Sequence, residues 1–454
     1  MNYPVIEFPW LGNGMIIAVI AIIHVIVSHG VAIGMTVLMV SLEYQGLKTN
    51  NEKLINVAKT ISKWVLIITT TVGAMTGVGI WLVTSVIQPD SIGSLLRIFF
   101  WAWFAEWIVF ITEVVLLIIY YYTWDTWKGA KRKIHFRIGV TLSIFGWLTA
   151  MIITGILSAK LTPGKWTETL SFWNAFLNPT YIPSLAFRTF IAILLAVSLI
   201  SLPIRLLIKD KEVRRDVFKV FSFWNALTVP GVLITGIWYL LSIPDEAKDL
   251  IIWSTGMPEN IFNMLHILGL ALFLIFALWM AIKPERVPVI LTIAIFFTSI
   301  AFIGEFEGVR ESVRKPYIIY DYLYANGVEA AKVDKFNEEG YLANSAASPI
   351  KEVTAENQLE AGRELYKGQC IACHTVEGWR TKRNFGDRLE GWDEAALSGY
   401  ISTLHETRPF MPPFVGTDDE RDALAAYLIK VSNEGLDADL TQGSKEKDDE
   451  KEEQ

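Results

Sequence analysis

Eight apolar runs, each long enough to cross a bilayer, occupy most of the first three hundred residues of this 454-residue chain. They lie near 14–42, 58–87, 98–123, 136–160, 184–208, 219–242, 260–282 and 286–308. In lipid a backbone must satisfy its own N–H and C=O groups, so runs of this length are helices. The expected body is all-α, a polytopic membrane helix bundle of about eight transmembrane helices. Several runs are broken by Gly or Pro, which membrane helices tolerate. The net charge of −7 implies no nucleic-acid partner.

Lys and Arg gather in alternate loops. "WKGAKRKIHFR" joins the third and fourth runs, "IKDKEVRRDVFK" the fifth and sixth, and "KPER" the seventh and eighth. Lys48, Lys53 and Lys59 fall between the first and second. The opposite loops are poorer in base: 88–97 hold one Arg, and "SIPDEAKDL" is net acidic. By the positive-inside rule the N-terminus faces outward, and an even number of crossings returns the chain to the outer face. Residues 1–47 hold no Lys or Arg, so the basic start of a secretory signal is missing. The expected place is a bacterial cytoplasmic membrane, surrounded by lipid, with the C-terminal part on the periplasmic or extracellular side.

That C-terminal part contains both cysteines of the chain, in "GQCIACHTVEGW". C-x-x-C-H is the attachment pattern for a covalent haem c: two thiols add to the vinyl groups and the His lies under the iron. Here these are Cys370, Cys373 and His374. A dithiol redox pair or half of a zinc site is the alternative, but a zinc site wants further thiols or histidines nearby. Met411, between prolines in "RPFMPPF", is the expected far axial ligand, with His405 as a weaker rival. "TAENQLEAGRELYKGQ" reads as an opening helix capped by Thr354, and "TDDERDALAAYLIKV" as a closing one with a Thr417–Glu420 capping box. The order helix, C-x-x-C-H, Met loop, helix resembles class I cytochromes c. The expected division is a membrane bundle at 1–317, a linker at 318–353, a cytochrome c-like domain at 354–436 and a disordered charged tail at 437–454.

Ionisable groups inside spanning helices are costly and mark function by default. His24 and His29 lie in the first run, five residues apart, which is about 140° of ideal helix rotation. Glu106 and Glu113 lie seven apart in the third, on nearly one face, and suggest a proton relay; acids bonded to neighbouring helices are the equal alternative. His266 is a candidate axial ligand close to Met264, weighed against a His bonded to helix backbone. His135, beside a basic loop, reads as interfacial. The eighth run ends in "IGEFEGVRESVRKPY", with Glu305, Glu307 and Glu311 near Arg310 and Arg314.

"EGVRESVRKPY" resembles the signature near the end of subunit I of cytochrome bd oxidases. The resemblance covers roughly residues 10–325. It implies that Glu311 ligates a b haem, that Arg314 and Pro316 match the signature's Arg and Pro, and that His24 ligates the oxygen-reactive haem. Glu113, with Trp124 and Asp125 beyond it, matches the later acid of the third helix, and Glu106 lies one position off the earlier one. One or more membrane haems, of b or d type, and a second membrane subunit are implied in the same way. Two departures matter. The family's fifth-helix His is replaced in "SLAFRTFIA" by Phe187 and Arg188; the resemblance matches Met264 to that ligand's partner and leaves His266 as the candidate substitute. The outer loop after the sixth helix is only about 17 residues long, which leaves a quinol site doubtful.

The reading that results is a membrane haem protein of a respiratory chain. Electrons from an external donor, such as a soluble cytochrome, enter through haem c and pass to membrane haems for reduction of dioxygen. The alternative is an electron-transfer subunit without oxygen chemistry; a haem-free anchor is the least supported.

Overall fold

The computed structural model describes residues 5–255 and 258–436. The charged run 437–454, expected to be disordered, lies outside the described residues. Eight helices among them are long and apolar enough to cross a membrane: α1 (Asn13–Thr49), α2 (Glu52–Ile87), α3 (Phe100–Tyr122), α4 (Lys131–Ala159), α5 (Tyr181–Leu207), α6 (Lys211–Ser242), α7 (Glu259–Ile282) and α8 (Val289–Ser312). The chain divides into two compact units.

The first unit consists of Ile20–Gly79 and Phe99–Val313. Its central element is α5, more than half of whose apolar stretch is buried (56%), against 6% for α2. An apolar helix this exposed is stable only against lipid. Two glycines at GxxxG spacing, Gly30 and Gly34, bring α1 against α5. A Cβ on Gly34 would strike the Ala192 carbonyl oxygen and come within 2.6 Å of Ala196 Cβ. Leu38, Met39, Leu42, Phe218 and Phe221 fill the core beyond this crossing. Two stretches widen into π-helix, Ile26–Met35 in α1 and Thr69–Gly73 in α2. In the second, Thr69, Thr70 and Thr71 each donate a hydroxyl to the carbonyl four residues back, at 2.6–2.7 Å, and compete with the backbone ladder. The two widened stretches pack together, since a Cβ on Gly73 would lie 3.2 Å from Val27 Cγ1.

The second unit consists of Met1–Val19, Ile80–Ile98 and Arg314–Gln454. Helix α9 (Gln358–Gln369) crosses α11 (Asp418–Glu434), and α10 (Glu394–Ser402) packs on the latter. Leu365 and Tyr366 meet Leu424, Tyr427 and Leu428 in the shared core. Gly362 permits the crossing, because a Cβ there would strike the Ala423 carbonyl oxygen. The Thr417–Glu420 capping box is formed. The opening helix starts later than Thr354 suggests. Thr354 and Asn357 exchange side-chain bonds of 2.8 and 3.3 Å and close a turn, so Asn357 becomes the cap residue.

Residues 318–353, expected as a linker, are folded into this unit. The strands β1 (Tyr317–Ile319) and β2 (Leu323–Tyr324) form a small hairpin, and Tyr341 and Leu342 are buried in the core. The buried carboxylate of Glu420 explains why: it accepts from Tyr341 N and Leu342 N, both at 2.8 Å, as well as from Thr417 N at 3.0 Å. We expect Glu420→Ala to strip three backbone donors of their acceptor and to destabilise this unit by about 2–5 kcal/mol. In the full chain this is read as a lower melting transition for the unit with the bundle's transition unmoved. An unchanged melt would mean that residues 341–353 contribute no stability.

Candidate functional site

The loop that follows α9 carries both thiols, half-buried and free. Burial, and then the neighbouring Cys373, push the Cys370 thiol up to about 12. A dithiol redox centre needs a lowered thiol, so this environment does not favour one. His374 is stacked on Phe385 with ring centroids 4.8 Å apart. Its Nδ1 is buried and makes no hydrogen bond of ordinary length. Burial, reinforced by Arg383 and Arg388, holds the imidazole down at about 4, which keeps it neutral. Two free thiols beside a neutral imidazole fit a covalent haem c. No cluster of three or more His, Cys, Asp or Glu among the described residues is arranged for a bare metal ion.

The Met411 loop is tied to this loop by a residue that sequence reasoning passed over. Gln369 donates to Val415 O at 2.7 Å and accepts from Val415 N at 3.0 Å, so it bridges the start of one loop to the end of the other. His405 Nδ1 donates to the Met411 carbonyl oxygen at 2.6 Å. The rival ligand thus acts on the Met loop as a brace. Asn326 also donates to Pro413 O at 3.1 Å.

In the bundle, His24 Nδ1 lies 3.1 Å from Thr76 Oγ1. The Thr76 hydroxyl donates its own hydrogen to Val72 O at 2.7 Å, so its oxygen accepts from Nδ1–H. That assignment leaves the lone pair on Nε2, the tautomer an iron ligand needs. Gly77 makes room for the ring, as a Cβ there would lie 3.2 Å from Cε1. His29 is used differently. Its Nδ1 meets Ser28 Oγ at 3.1 Å and its Nε2 accepts from Arg188 at 3.3 Å. The Arg188 guanidinium is buried and lies 5.8 Å from the Phe306 ring. The next residue, Glu307, pairs at 2.7 Å with Arg310 one turn further on. The 140° separation expected of the two histidines assumed an ideal helix; the π-helical stretch from Ile26 changes that geometry.

Glu113 is buried, and its Oε2 accepts from Thr149 at 3.3 Å, while Glu106 is half-buried one heptad earlier. Gly146 faces Glu113, since a Cβ there would sit 3.3 Å from Oε1. Glu311 is exposed at the end of α8, and Arg314 is buried and donates to Ile318 O at 3.2 Å. Met264 is half-exposed (51%). His266 Nδ1 donates to Phe262 O at 2.9 Å and its Nε2 lies 3.5 Å from Glu305. His135 is not interfacial but fully buried, because Glu43 is buried beside it as a partner. Thr76, Thr149 and Gln369 carry no signal in a single sequence, as uncharged residues are ordinary in such helices.

Residues 15–243, just over half of the chain, match the family model for cytochrome bd terminal oxidase subunit I. The chain belongs to that family. Residues 357–428 match the model for cytochrome c oxidase, cbb3-type, subunit III. The solved structure of bd oxidase from Geobacillus thermodenitrificans superposes with a TM-score of 0.53 and 16% identity, over 67% of this chain and 89% of that one. At that identity the likeness speaks for the fold. No curated protein matches the chain. A cytochrome bd subunit I body joined to a cytochrome c domain makes this a respiratory haem protein of the membrane.

The raised Cys370 thiol gives a pH test on haem-free protein. Thiolate is the reactive form, so alkylation is slow near neutrality and rises only as pH approaches about 12. Alkylation rates followed by mass spectrometry check this. Free-cysteine rates near neutrality would mean that the loop is open without its haem.

Proposed function

We propose that this chain is the haem-carrying subunit of a bd-type oxidase that takes its electrons through a covalently bound haem c. Dioxygen is then reduced within the membrane body. One observation carries the reading. Lys315 Nζ lies 3.8 Å from Cys373 Sγ, and Lys315 follows Arg314 directly and stands four residues after Glu311. The electron-entry loop therefore meets Lys315, a residue of the stretch that resembles the family's haem-ligand motif. The same loop meets the start of α1: a Cβ on Gly14 would lie 2.9 Å from the Ala372 carbonyl oxygen.

In this reading Cys370 and Cys373 would anchor a haem c covalently, and His374 and Met411 are the residues that would ligate its iron. His24 and Glu311 would hold membrane haem of b or d type, with Arg314 offsetting charge at that end. Bound haem would supply one-electron redox change and, where an axial position stays open, a place for dioxygen. Thr76 fixes the His24 ring, and Glu113 with Glu106 carries protons inward. Charge in the loops supports an outward-facing cytochrome domain on a bacterial cytoplasmic membrane. An external donor such as a soluble cytochrome and a second membrane subunit complete the system.

A second reading, an electron-transfer subunit without oxygen reduction, is favoured by α7 and α5. Met264 is half-exposed, His266 is engaged with Phe262 and Glu305, and Arg188 stands where a His ligand is expected from the family.

The deciding measurement is a dithionite-reduced difference spectrum of the purified protein with and without carbon monoxide, with haem types quantified. Carbon monoxide binding to a non-covalent haem supports the oxidase. Haem c with closed b haems selects the relay, and haem c alone removes both. Met411→Ala should keep haem c attached and shift its reduced spectrum and potential. Thr76→Val should weaken retention of a membrane haem about 10–100-fold without touching haem c. Full retention would remove His24 from the ligand set.

A further inference from the structure

Glu43 has no exposed surface, although it lies in a membrane helix. Three side chains converge on it. Tyr120 donates its hydroxyl to Oε2 at 2.7 Å, His135 Nδ1 lies 2.7 Å from Oε1, and Arg132 Nε stands 3.2 Å from the same oxygen. The other nitrogen of His135 is 2.9 Å from the Tyr120 carbonyl oxygen. A carbonyl only accepts, so Nε2 carries a hydrogen. A neutral imidazole would then present a bare lone pair at Nδ1, and two bare lone pairs do not approach to 2.7 Å. One further proton therefore sits between Glu43 and His135.

We infer that the Glu43–His135 pair is a proton-loading site, which draws protons from the base-rich end of the bundle and passes them along α3 to Glu113. This rests on the oxygen-reducing reading proposed above, because oxygen reduction consumes protons. Tyr120, Glu113 and Glu106 recur at seven-residue intervals and share one face of α3, each about 10 Å from the next. Helix α4 lies close against that face through two glycines at the same interval. A Cβ on Gly139 would lie 2.7 Å from Tyr120 Cε2, and one on Gly146 3.3 Å from Glu113 Oε1. Ser143 lies between these glycines in the sequence.

The transfer balances without any electron. The Tyr120 hydroxyl, whose hydrogen points at Glu43 Oε2, first turns toward Glu113; its oxygen then takes the proton shared by Glu43 and His135 as its own hydrogen leaves to solvent on the Glu113 side. The phenol is regenerated, and the pair is refilled from solvent. The charged groups that face the pair are Arg132 from α4 and, at the rim, the Lys59–Asp125 ion pair (2.6 Å) with Lys128 nearby. Arg132 is also held against Trp124, its guanidinium 4.8 Å from the ring, and it keeps a fixed positive charge beside Glu43.

The test compares wild type, Glu43→Gln, Glu43→Asp and Tyr120→Phe in the purified complex. Oxygen uptake with a reduced artificial donor is followed across pH, and the reduced haem spectrum serves as the folding check. Glu43→Gln should keep its spectrum and lose at least about tenfold in turnover, most strongly at alkaline pH, where solvent protons are scarce. Glu43→Asp should restore most of the rate with a displaced pH profile. Infrared difference spectra should lose a deuterium-sensitive carboxyl or imidazolium band in Glu43→Gln. If Glu43→Gln loses haem, Tyr120→Phe carries the test, since it keeps the ring and removes only the relay hydroxyl. An unchanged rate and pH profile in either well-folded variant overturns the loading site and leaves the oxidase reading standing. Absence of oxygen uptake by wild type overturns both.

Discussion

Lipid offers no hydrogen bonds, so every polar group carried into the bundle must bring its partner with it. That constraint organises this structure more than any single apolar contact. His24 is held by Thr76, Glu113 by Thr149, His29 by Ser28 and Arg188, and Glu307 by Arg310. Apart from the neighbouring Ser28–His29 contact, each pairing joins different helices or successive turns of one, and so it also fixes a register. The partners supplied by α2 and α4 are hydroxyls: Thr76 also donates to its own helix, while the one hydrogen of Thr149 is shared between Glu113 Oε2 and Phe145 O, each at 3.3 Å. A hydroxyl can donate to one group and accept from another, which lets it orient a His without adding charge.

Where a polar group can be satisfied by helix backbone alone, it orders little beyond itself. His266 bonds to Phe262 O within its own helix and stays partly exposed. His24 and His266 look alike in the sequence, each a His flanked by apolar residues in a long apolar run. Their difference lies in what the neighbouring helix presents, a Thr four residues past a carbonyl acceptor in one case and a carboxylate at 3.5 Å in the other.

The eight spans and the helical cytochrome domain were legible because length and apolarity are properties of a single segment. The Cys370–His374 loop was legible because the chemistry demands contiguous residues. Boundaries and pairings were less so. The first span was expected to end near 42, but α1 runs to Thr49, and Glu43 is therefore a buried helix residue and not a loop residue. With that acid out of view, His135 had no partner and looked interfacial. The stretch 318–353 was read as a linker because its buried residues are few and scattered, and the carboxylate that anchors it, Glu420, is nearly eighty residues away. Pairings at that range leave no local periodicity to read.

The second unit takes its material from both ends of the chain. Val5 packs on its core, Glu7 accepts from Tyr366 at 3.1 Å, and Trp379 N donates to Trp10 O at 3.2 Å. Residues 5–14 are synthesised some 350 residues ahead of their partners. At about 5–20 residues per second, that delay is on the order of twenty to seventy seconds. During it the leading segment must be kept from other contacts while eight helices are inserted behind it. Assembly of this unit therefore waits until the last of the eight helices has been made, and a bulky insertion beside residues 5–14 would obstruct it only then.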